Sequence, residues 1–150
     1  AFTDEDRAAY NALCLDDERN KWWGYDYRTD WKGEDLKTYF LDVVREDFAK
    51  KRAVSFAIRL DGKCIGEVLL YRFDGKGGAE EGCRIAPEYG GQGYGAEAFR
   101  AVAEWGLYDR HLSHIVAKCY KENTASYQML SSCMRKKGED EKFFYFNKEV

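Results

Sequence analysis

The sequence predicts a single α+β or α/β domain built around one sheet. Two helical patterns come first, a run of strands follows, and further helices are interleaved before the last strands. The chain has 150 residues, 45% of them hydrophobic and 34% charged, which is typical of a globular domain with its own core. A chain of this length buries roughly 70% of its unfolded surface, so the core needs neither disulfides nor a metal.

The first 50 residues are predicted to be mainly helical. Thr3 and Asp6 have the spacing of a capping box, and apolar residues then recur at the helical period, which predicts a helix over 4–15 that ends in an acidic turn. A second amphipathic helix is predicted over 34–50. The aromatic residues between them either form a stacking platform for a ligand or pack as a loop. They are Trp22, Trp23, Tyr25, Tyr27 and Trp31.

Strand patterns dominate the rest of the chain. Runs of β-branched and aromatic residues over 53–60 and 63–73 flank Asp61-Gly62, a pair typical of a two-residue hairpin turn. The later elements are a strand over 79–86, a helix entered through glycines, a strand over 114–120, a short helix over 123–133, and one weak and one strong strand around Gly138.

Charge and hydropathy exclude several partners. The chain carries 24 basic and 27 acidic side chains, a formal net charge of −3, with no block of Lys or Arg, which argues against a nucleic-acid partner. No apolar run approaches the roughly 20 residues that span a bilayer, and the start of the chain lacks the form of a signal peptide. We therefore expect a cytoplasmic protein without membrane contact.

The cysteines and histidines predict no metal site. The five cysteines are widely spaced without a Cys-x-x-Cys pair, and His111 and His114 have no carboxylates in register with them. The same two histidines would be the only bases for a Ser-His-Asp or Cys-His mechanism, so we set that mechanism aside.

Glycine is concentrated in one part of the chain. Eight of the 14 glycines lie within residues 75–95, and the last four of these enter a predicted helix. A helix N-terminus leaves backbone N–H groups unpaired, and glycines there let a phosphate or pyrophosphate approach them. A Walker-type loop is excluded because no Gly-Lys-Ser/Thr follows, and a dinucleotide fold would place the motif after the first strand.

Two motifs together give a family resemblance. The segment 79–98, AEEGCRIAPEYGGQGYGAEA, and the run Asn123-Thr124-Ala125-Ser126 resemble the strand, pyrophosphate loop, helix and Asn-x-x-Ser segment of the GNAT superfamily of acetyl-CoA-dependent N-acetyltransferases. The similarity is closest to the ribosomal-protein-alanine N-acetyltransferase-like branch, and it covers about residues 3–150.

The resemblance implies a GNAT-like fold with a central mixed, mostly antiparallel sheet flanked by about four helices. In such a fold the strand at 79–86 bulges, here at Gly82, and splays from the strand at 114–120, and pantetheine inserts between them. Acetyl-CoA is then the cosubstrate, and no metal is needed. The implied cofactor-binding residues are Cys83, Arg84, Ile85, Gly90, Gly91, Gln92, Gly93, Tyr94, Gly95, Ala96 and Asn123.

The chain departs from the family pattern at several positions. Gly90 stands where the family usually has Arg or Gln, so one side-chain contact to the pyrophosphate is expected to be missing. Leu130 stands where members with a tyrosine general acid carry that tyrosine, and Tyr127, one turn earlier, is expected to pack instead. The family's first strand is absent or reduced to Ala1-Phe2, which suggests a shortened chain or a domain from a longer one.

The implied reaction needs a base, because an ammonium cannot attack a thioester until it loses a proton. Glu80 is the first candidate because it matches the glutamate of the family's strand motif, and Glu67 and Glu81 follow; each could equally be a solvated edge residue. A backbone N–H in the bulge would stabilise the oxyanion. Ser126 is the candidate acid for the CoA thiolate, and it could instead be only the helix N-cap.

The implied activity is direct transfer from acetyl-CoA to a primary amine in a ternary complex. The acceptor is a small molecule or a protein N-terminus, with Trp23 and Tyr25 facing it, and the acidic net charge favours a cationic amine. Two alternatives stay open: a CoA-binding module without catalysis, and a protein-interaction domain that uses the Trp22–Trp31 cluster. The resemblance also allows a homodimer.

Overall fold

A computed structural model describes all 150 residues and contains five α-helices around one six-stranded sheet. The helices are α1 (Arg7–Cys14), α2 (Asp17–Trp23), α3 (Leu36–Ala49), α4 (Tyr94–Glu104) and α5 (Thr124–Cys133). The strands are β1 (Ala53–Leu60), β2 (Lys63–Tyr71), β3 (Gly78–Ile85), β4 (His114–Tyr120), β5 (Arg135–Glu139) and β6 (Phe143–Glu149). Residues before α1 form no strand.

The N-terminal helices begin as the capping signals indicate, with one addition. Thr3 N donates to Asp6 Oδ2 at 2.8 Å, which confirms the capping box at the 3₁₀ turn that precedes α1. The acidic turn expected after α1 instead starts α2, because Asp16 Oδ1 accepts a hydrogen bond from Arg19 N at 2.8 Å. Gly24, with φ +82°, ends α2 in the left-handed conformation. Trp22 therefore lies on a helix and not in a loop.

The sheet has the strand order β1-β2-β3-β4-β6-β5 and is antiparallel except between β3 and β4. This confirms the mixed, mostly antiparallel sheet. The hairpin of β1 and β2 turns at Asp61 and Gly62, both with positive φ, as expected. Gly138 does not separate the last two strands; it lies inside β5, next to a register shift after Lys136.

The only parallel pair of strands separates part-way along its length. β3 and β4 pair at Gly78, Ala79 and Glu80 with His114, Ile115 and Val116, and beyond these three pairs they diverge. β3 stays paired with β2 as far as Ile85, so the gap opens on one edge of β3 only. The expected splay of these two strands is therefore present.

The bulge expected at Gly82 is absent, because the register between β2 and β3 is continuous from Tyr71↔Glu80 to Gly66↔Ile85. Gly82 serves a different purpose. A Cβ there would lie 3.2 Å from the Trp23 ring and 3.3 Å from Leu69 Cδ2, so the missing side chain lets the Trp23 indole rest against the strand.

Helices cover the two faces of the sheet unequally. α1, α2 and α3 lie against β1, β2 and β3 on one face, around a small core that contains Tyr10 and Phe40. α4 and α5 lie on the other face and cover the larger core, which contains Phe99, Ile115 and Phe146. No helix combines the length and the apolar character that crossing a bilayer requires.

Candidate active site

A cavity of about 770 Å³ passes through the sheet where β3 and β4 separate. Four consecutive residues of β3 line it. Because side chains alternate between the faces of a strand, Glu80 and Gly82 border it on the α1–α3 side, and Glu81 and Cys83 border it on the α4–α5 side. The cavity is therefore lined from both faces of the sheet, and a ligand bound between the strands could be reached from either face.

The glycine-rich loop stands at the start of α4, beyond the end of β3. Gly91 has φ +73° and Gly93, the N-cap of α4, has φ +86°, both in the region that glycine occupies without strain. No side chain caps this helix, and the four residues Gly90 to Gly93 stand clear of close packing. The first amides of an 11-residue helix are therefore free to bind an anion.

Because Gly95 has no side chain, the start of α4 lies close to β3. A Cβ at Gly95 would lie 3.3 Å from Ile85 Cγ1 and 3.7 Å from Cys83 Sγ, and the Cys83 thiol contacts the Gly95 carbonyl oxygen at 3.8 Å. Of the predicted cofactor residues on β3, Cys83 and Ile85 therefore lie directly under the helix N-terminus. A Cβ at Gly95 would crowd the Ile85 side chain, so glycine permits the close approach of α4 to β3.

Asn123 and Ser126 both line the cavity at the start of α5. Asn123 Oδ1 accepts from Ser126 N at 3.2 Å, and Asn123 Nδ2 donates to Ser126 Oγ at 2.9 Å. The N-cap is therefore Asn123, and Ser126 is not itself the cap. Tyr127 packs as expected, with its ring centroid 4.9 Å from that of Phe144.

Glu80, the first candidate base, faces the α1–α3 side of the cavity with its side chain 12% exposed. Its Oε2 accepts a hydrogen bond from the Tyr71 hydroxyl at 2.5 Å, and its Oε1 lies 3.2 Å from Arg72 Nη1. Burial and the neighbouring Glu80 carboxylate raise the pKa of Tyr71, so Tyr71 keeps its proton and acts as the donor. Sequence reasoning missed Tyr71, because nothing local pairs it with Glu80.

Glu67 does not border the cleft, so that expectation is wrong. It is fully buried on β2, where its Oε1 lies 3.0 Å from Arg84 Nη2 and its Oε2 accepts from the Tyr10 hydroxyl at 3.0 Å. The Arg84 guanidinium also lies 4.4 Å from the centroid of the Trp23 ring. Arg84 and Glu67 therefore form a buried ion pair beneath Trp23, and neither residue lines the cavity.

Glu81 differs from both other glutamates. It is 3% exposed and lines the α4–α5 side of the cavity, and neither of its carboxylate oxygens has a hydrogen-bond partner. Burial raises the pKa of this carboxyl group to about 9, and the charge of Lys148 lowers it by less. Glu81 therefore holds a proton at neutral pH, and it is not a solvated edge residue.

Aromatic side chains form the wall on the α1–α3 side. Trp23 and Tyr25, the predicted acceptor residues, both line the cavity, together with Trp22 and Tyr27. Tyr25 is 41% exposed and donates to Asp30, and this hydrogen bond with some burial raises its pKa to about 12. Trp31 lies outside the cavity, where its indole nitrogen donates to the Glu34 carbonyl oxygen at 2.5 Å.

The model of the acetyltransferase (GNAT) domain family matches residues 1–133 of this sequence. The chain belongs to this family. A curated relative, the uncharacterized N-acetyltransferase YnaD of Bacillus subtilis, is 35% identical over 107 residues, which are 70% of this chain and 61% of the relative. The chain therefore spans about three fifths of that relative's length. The resemblance seen in the two sequence motifs is confirmed.

Solved GNAT structures share the fold over nearly the whole chain. A GNAT-family acetyltransferase from Bacillus anthracis superposes with a TM-score of 0.81 at 22% identity, covering 99% of this chain and 91% of that one. The spermidine N-acetyltransferase of Vibrio cholerae, in complex with CoA and spermine, gives 0.79 at 14% identity, covering 99% and 92%. RimL, a ribosomal alpha-N-protein acetyltransferase in complex with coenzyme A, gives 0.80 at 14% identity, covering 100% and 92%.

Proposed function

We propose that this protein transfers the acetyl group of acetyl-CoA to a primary amine, by direct attack of the amine in a ternary complex. Membership of the GNAT family supports acetyl transfer to an amine. The observation that carries the finer proposal is the gap between β3 and β4, because the Glu80 carboxylate borders it, and so does Cys83, which contacts Gly95 at the start of α4. Both substrates can then meet inside the sheet.

The protein's own groups fit the cosubstrate. The free amides of Gly91 to Ala96 would hold the pyrophosphate, and the unpaired edge of β3 near Cys83 offers backbone groups to pantetheine. Asn123 would contact the pantetheine or position a water. Gly90 leaves one side-chain contact to the pyrophosphate unmade. The thioester supplies the acyl group; the chain binds it and orients it toward the α1–α3 side.

Glu80 is the proposed base. It is the cavity carboxylate nearest the closed end of the gap, since it forms the last pair with β4. Its hydrogen bond from Tyr71 fixes the carboxylate, and its Oε1 also contacts the exposed Arg72. Glu80 would take the proton of the attacking nitrogen. Two other groups in the cavity, Ser126 and Glu81, carry a proton that the leaving thiolate could take.

The charges around the acceptor side favour an amine that carries an anionic group. Of the basic side chains that line the cavity, Arg52 pairs with Asp47 at 2.9 Å and Arg72 pairs with Glu80, but Lys51 and Lys118 have no acidic partner. The Lys118 ammonium instead lies 4.6 Å from the centroid of the Phe143 ring. We therefore infer an acceptor with a carboxylate or phosphate near its amine, in place of the cationic amine expected from net charge.

Matched acceptors test this inference. Two peptides with the same N-terminal alanine, one followed by aspartates and one by lysines, are compared with spermidine by CoA release. We expect kcat/KM to be about tenfold higher for the acidic peptide at low salt, and the difference to shrink as salt screens the exposed charges. Replacing Lys51 and Lys118 by Gln should remove the preference, whereas Lys32→Gln, outside the cavity, should keep it. A preference for spermidine would refute the inference.

The cosubstrate site is tested by calorimetric titration of acetyl-CoA, followed by thiol release with an amine panel. Gly93→Ala should weaken acetyl-CoA binding by about five- to thirtyfold, because alanine in the left-handed region costs about 1–2 kcal/mol and the relaxed loop no longer presents its amides. Gly93 has φ +86° and open space around it, so strain and not collision is the cause.

Gly62→Ala is the matched control. Gly62 has φ +81°, also with nothing within 4 Å, but it lies in the turn between β1 and β2. The two variants should lose similar stability, and only Gly93→Ala should lose affinity. Acetyl-CoA binding without turnover of any amine would favour the non-catalytic module, and no binding at all would remove the proposed function.

A further inference from the structure

We propose that Glu81 is the general acid that protonates the sulfur of the leaving CoA, a role that rests on the proposed acetyl transfer. Glu81 directly follows Glu80, the last residue of β3 that pairs with β4, so it lies where the two strands begin to part. Its side chain lines the cavity on the face of the sheet opposite to Glu80. The two neighbouring carboxyl groups thus approach one gap from its two sides.

The environment of Glu81 points to a ligand as its missing partner. Both oxygens are buried without a hydrogen bond in the protein, and a buried polar group without a partner is destabilising. Such groups are rare in folded proteins and call for a specific explanation. Because Glu81 borders a cavity and not a sealed core, a substrate bound in the gap can reach its carboxyl group.

The groups around Glu81 keep it protonated. Leu70 lies directly opposite on β2, and Phe99, Ala117 and Leu130 line the same side of the cavity. Burial also raises the pKa of the two thiols on this side, so they add no charge. These thiols are Cys83 and Cys119. Lys148 on β6 is the one charged side chain whose field favours ionisation of Glu81, and it does not offset burial.

The proton balance of the reaction assigns the two glutamates different tasks. Glu80 takes a proton from the nitrogen as the C–N bond forms. As the C–S bond breaks, its electron pair goes to sulfur, and Glu81 gives its proton to form the S–H bond. Glu81 then regains a proton from water and Glu80 loses one to water. The net change is one N–H bond lost and one S–H bond gained.

Ser126 is the weaker candidate for this step. A serine alkoxide is a much stronger base than a thiolate, so the Ser126 hydroxyl could give its proton to sulfur only if another acid replaced it at once. Its oxygen is already held by Asn123 Nδ2 at 2.9 Å. The Glu81 carboxyl needs no second acid, and its proton affinity is close to that of a thiol.

The test compares Glu81→Gln and Ser126→Ala with the wild type over pH 6–10. Because the acid must be protonated, wild-type kcat should fall as pH rises through the pKa of Glu81, and this fall should be missing in Glu81→Gln. We expect kcat of Glu81→Gln to drop about a hundredfold, with acetyl-CoA affinity within about twofold of the wild type. Ser126→Ala should keep the fall. Unchanged kcat in Glu81→Gln, loss of acetyl-CoA binding, or disappearance of the fall in Ser126→Ala would each overturn the proposal.

Two further measurements separate this proposal from structural effects and from the proposed function. Glu81→Leu should melt at a higher temperature than the wild type, since it removes an unpaired buried carboxyl, and yet be as slow as Glu81→Gln. A carbon NMR titration of the Glu81 carboxyl, assigned with Glu81→Gln, should show no ionisation below about pH 8. Ionisation near the ordinary glutamate pKa would refute the acid role even if turnover is normal. A wild type without turnover would instead remove the proposed function.

Discussion

Glu80→Gln should lower kcat/KM for amine acetylation by about 10²- to 10⁴-fold while leaving acetyl-CoA binding unchanged. Glutamine keeps the size of the side chain and can still accept from Tyr71, but it cannot take a proton from the amine. The Arg72 side chain that loses its ionic partner is 65% exposed, so the fold should tolerate the change. Steady-state thiol release and calorimetric titration of acetyl-CoA measure the two quantities separately.

Glu104→Gln is the matched control, because Glu104 is an exposed glutamate of α4 that does not line the cavity. It should retain full kcat/KM. Tyr71→Phe should give an intermediate loss, since it removes the 2.5 Å hydrogen bond and keeps the carboxylate. If Glu80→Gln acetylates amines as fast as the wild type, the base lies elsewhere; Asp47 is then the remaining carboxylate on that side of the cavity.

The elements that sequence alone predicted well are those with local signals. β4 has the predicted bounds 114–120, and the hairpin of β1 and β2 has its turn at Asp61-Gly62, because a strongly periodic run and a DG pair each fix structure within a few residues. The sequence does not predict α2, because an acidic run can follow the end of one helix or begin the next. The hydrogen bond from Arg19 N to Asp16 Oδ1 shows that here it begins a helix. A glycine such as Gly138 predicts a break between strands, but a strand with a register shift accommodates it here.

The site was predictable where it depends on the motif and not where it depends on long-range pairing. The loop at Gly93 and the start of α5 follow from the two motifs, although the N-cap is Asn123 and not Ser126. The different environments of the three glutamates do not follow from the motifs. Glu67 and Arg84, for example, are 17 residues apart and meet only because β2 and β3 pair. Strand alternation alone predicts that Glu80 and Glu81 point to opposite faces of the sheet. Which of these faces is covered by α1–α3 and which by α4–α5 is known only from the structure.

The buried ion pair of Arg84 and Glu67, beneath Trp23, should contribute strongly to the free energy of unfolding. Arg84→Met should lower the free energy of unfolding by about 3–5 kcal/mol, because it leaves Glu67 as an uncompensated charge that is fully buried. It also removes the cation that lies 4.4 Å from the centroid of the Trp23 ring, so KM for the amine should rise as the wall loosens. Urea unfolding followed by circular dichroism measures the first effect.

A double variant distinguishes a lost ion pair from lost packing. Arg84→Met combined with Glu67→Leu should recover most of the stability, since two apolar side chains can replace a buried pair, although Tyr10 then loses its acceptor. Arg45→Met is the exposed counterpart: Arg45 Nη2 lies 2.7 Å from Asp4 Oδ1, a distance similar to the Arg84–Glu67 contact, but both side chains are in solvent. Its urea midpoint should not move measurably. If the double variant is as unstable as the sum of its single changes, the stability at this position comes from the shape of the two side chains and not from their charges.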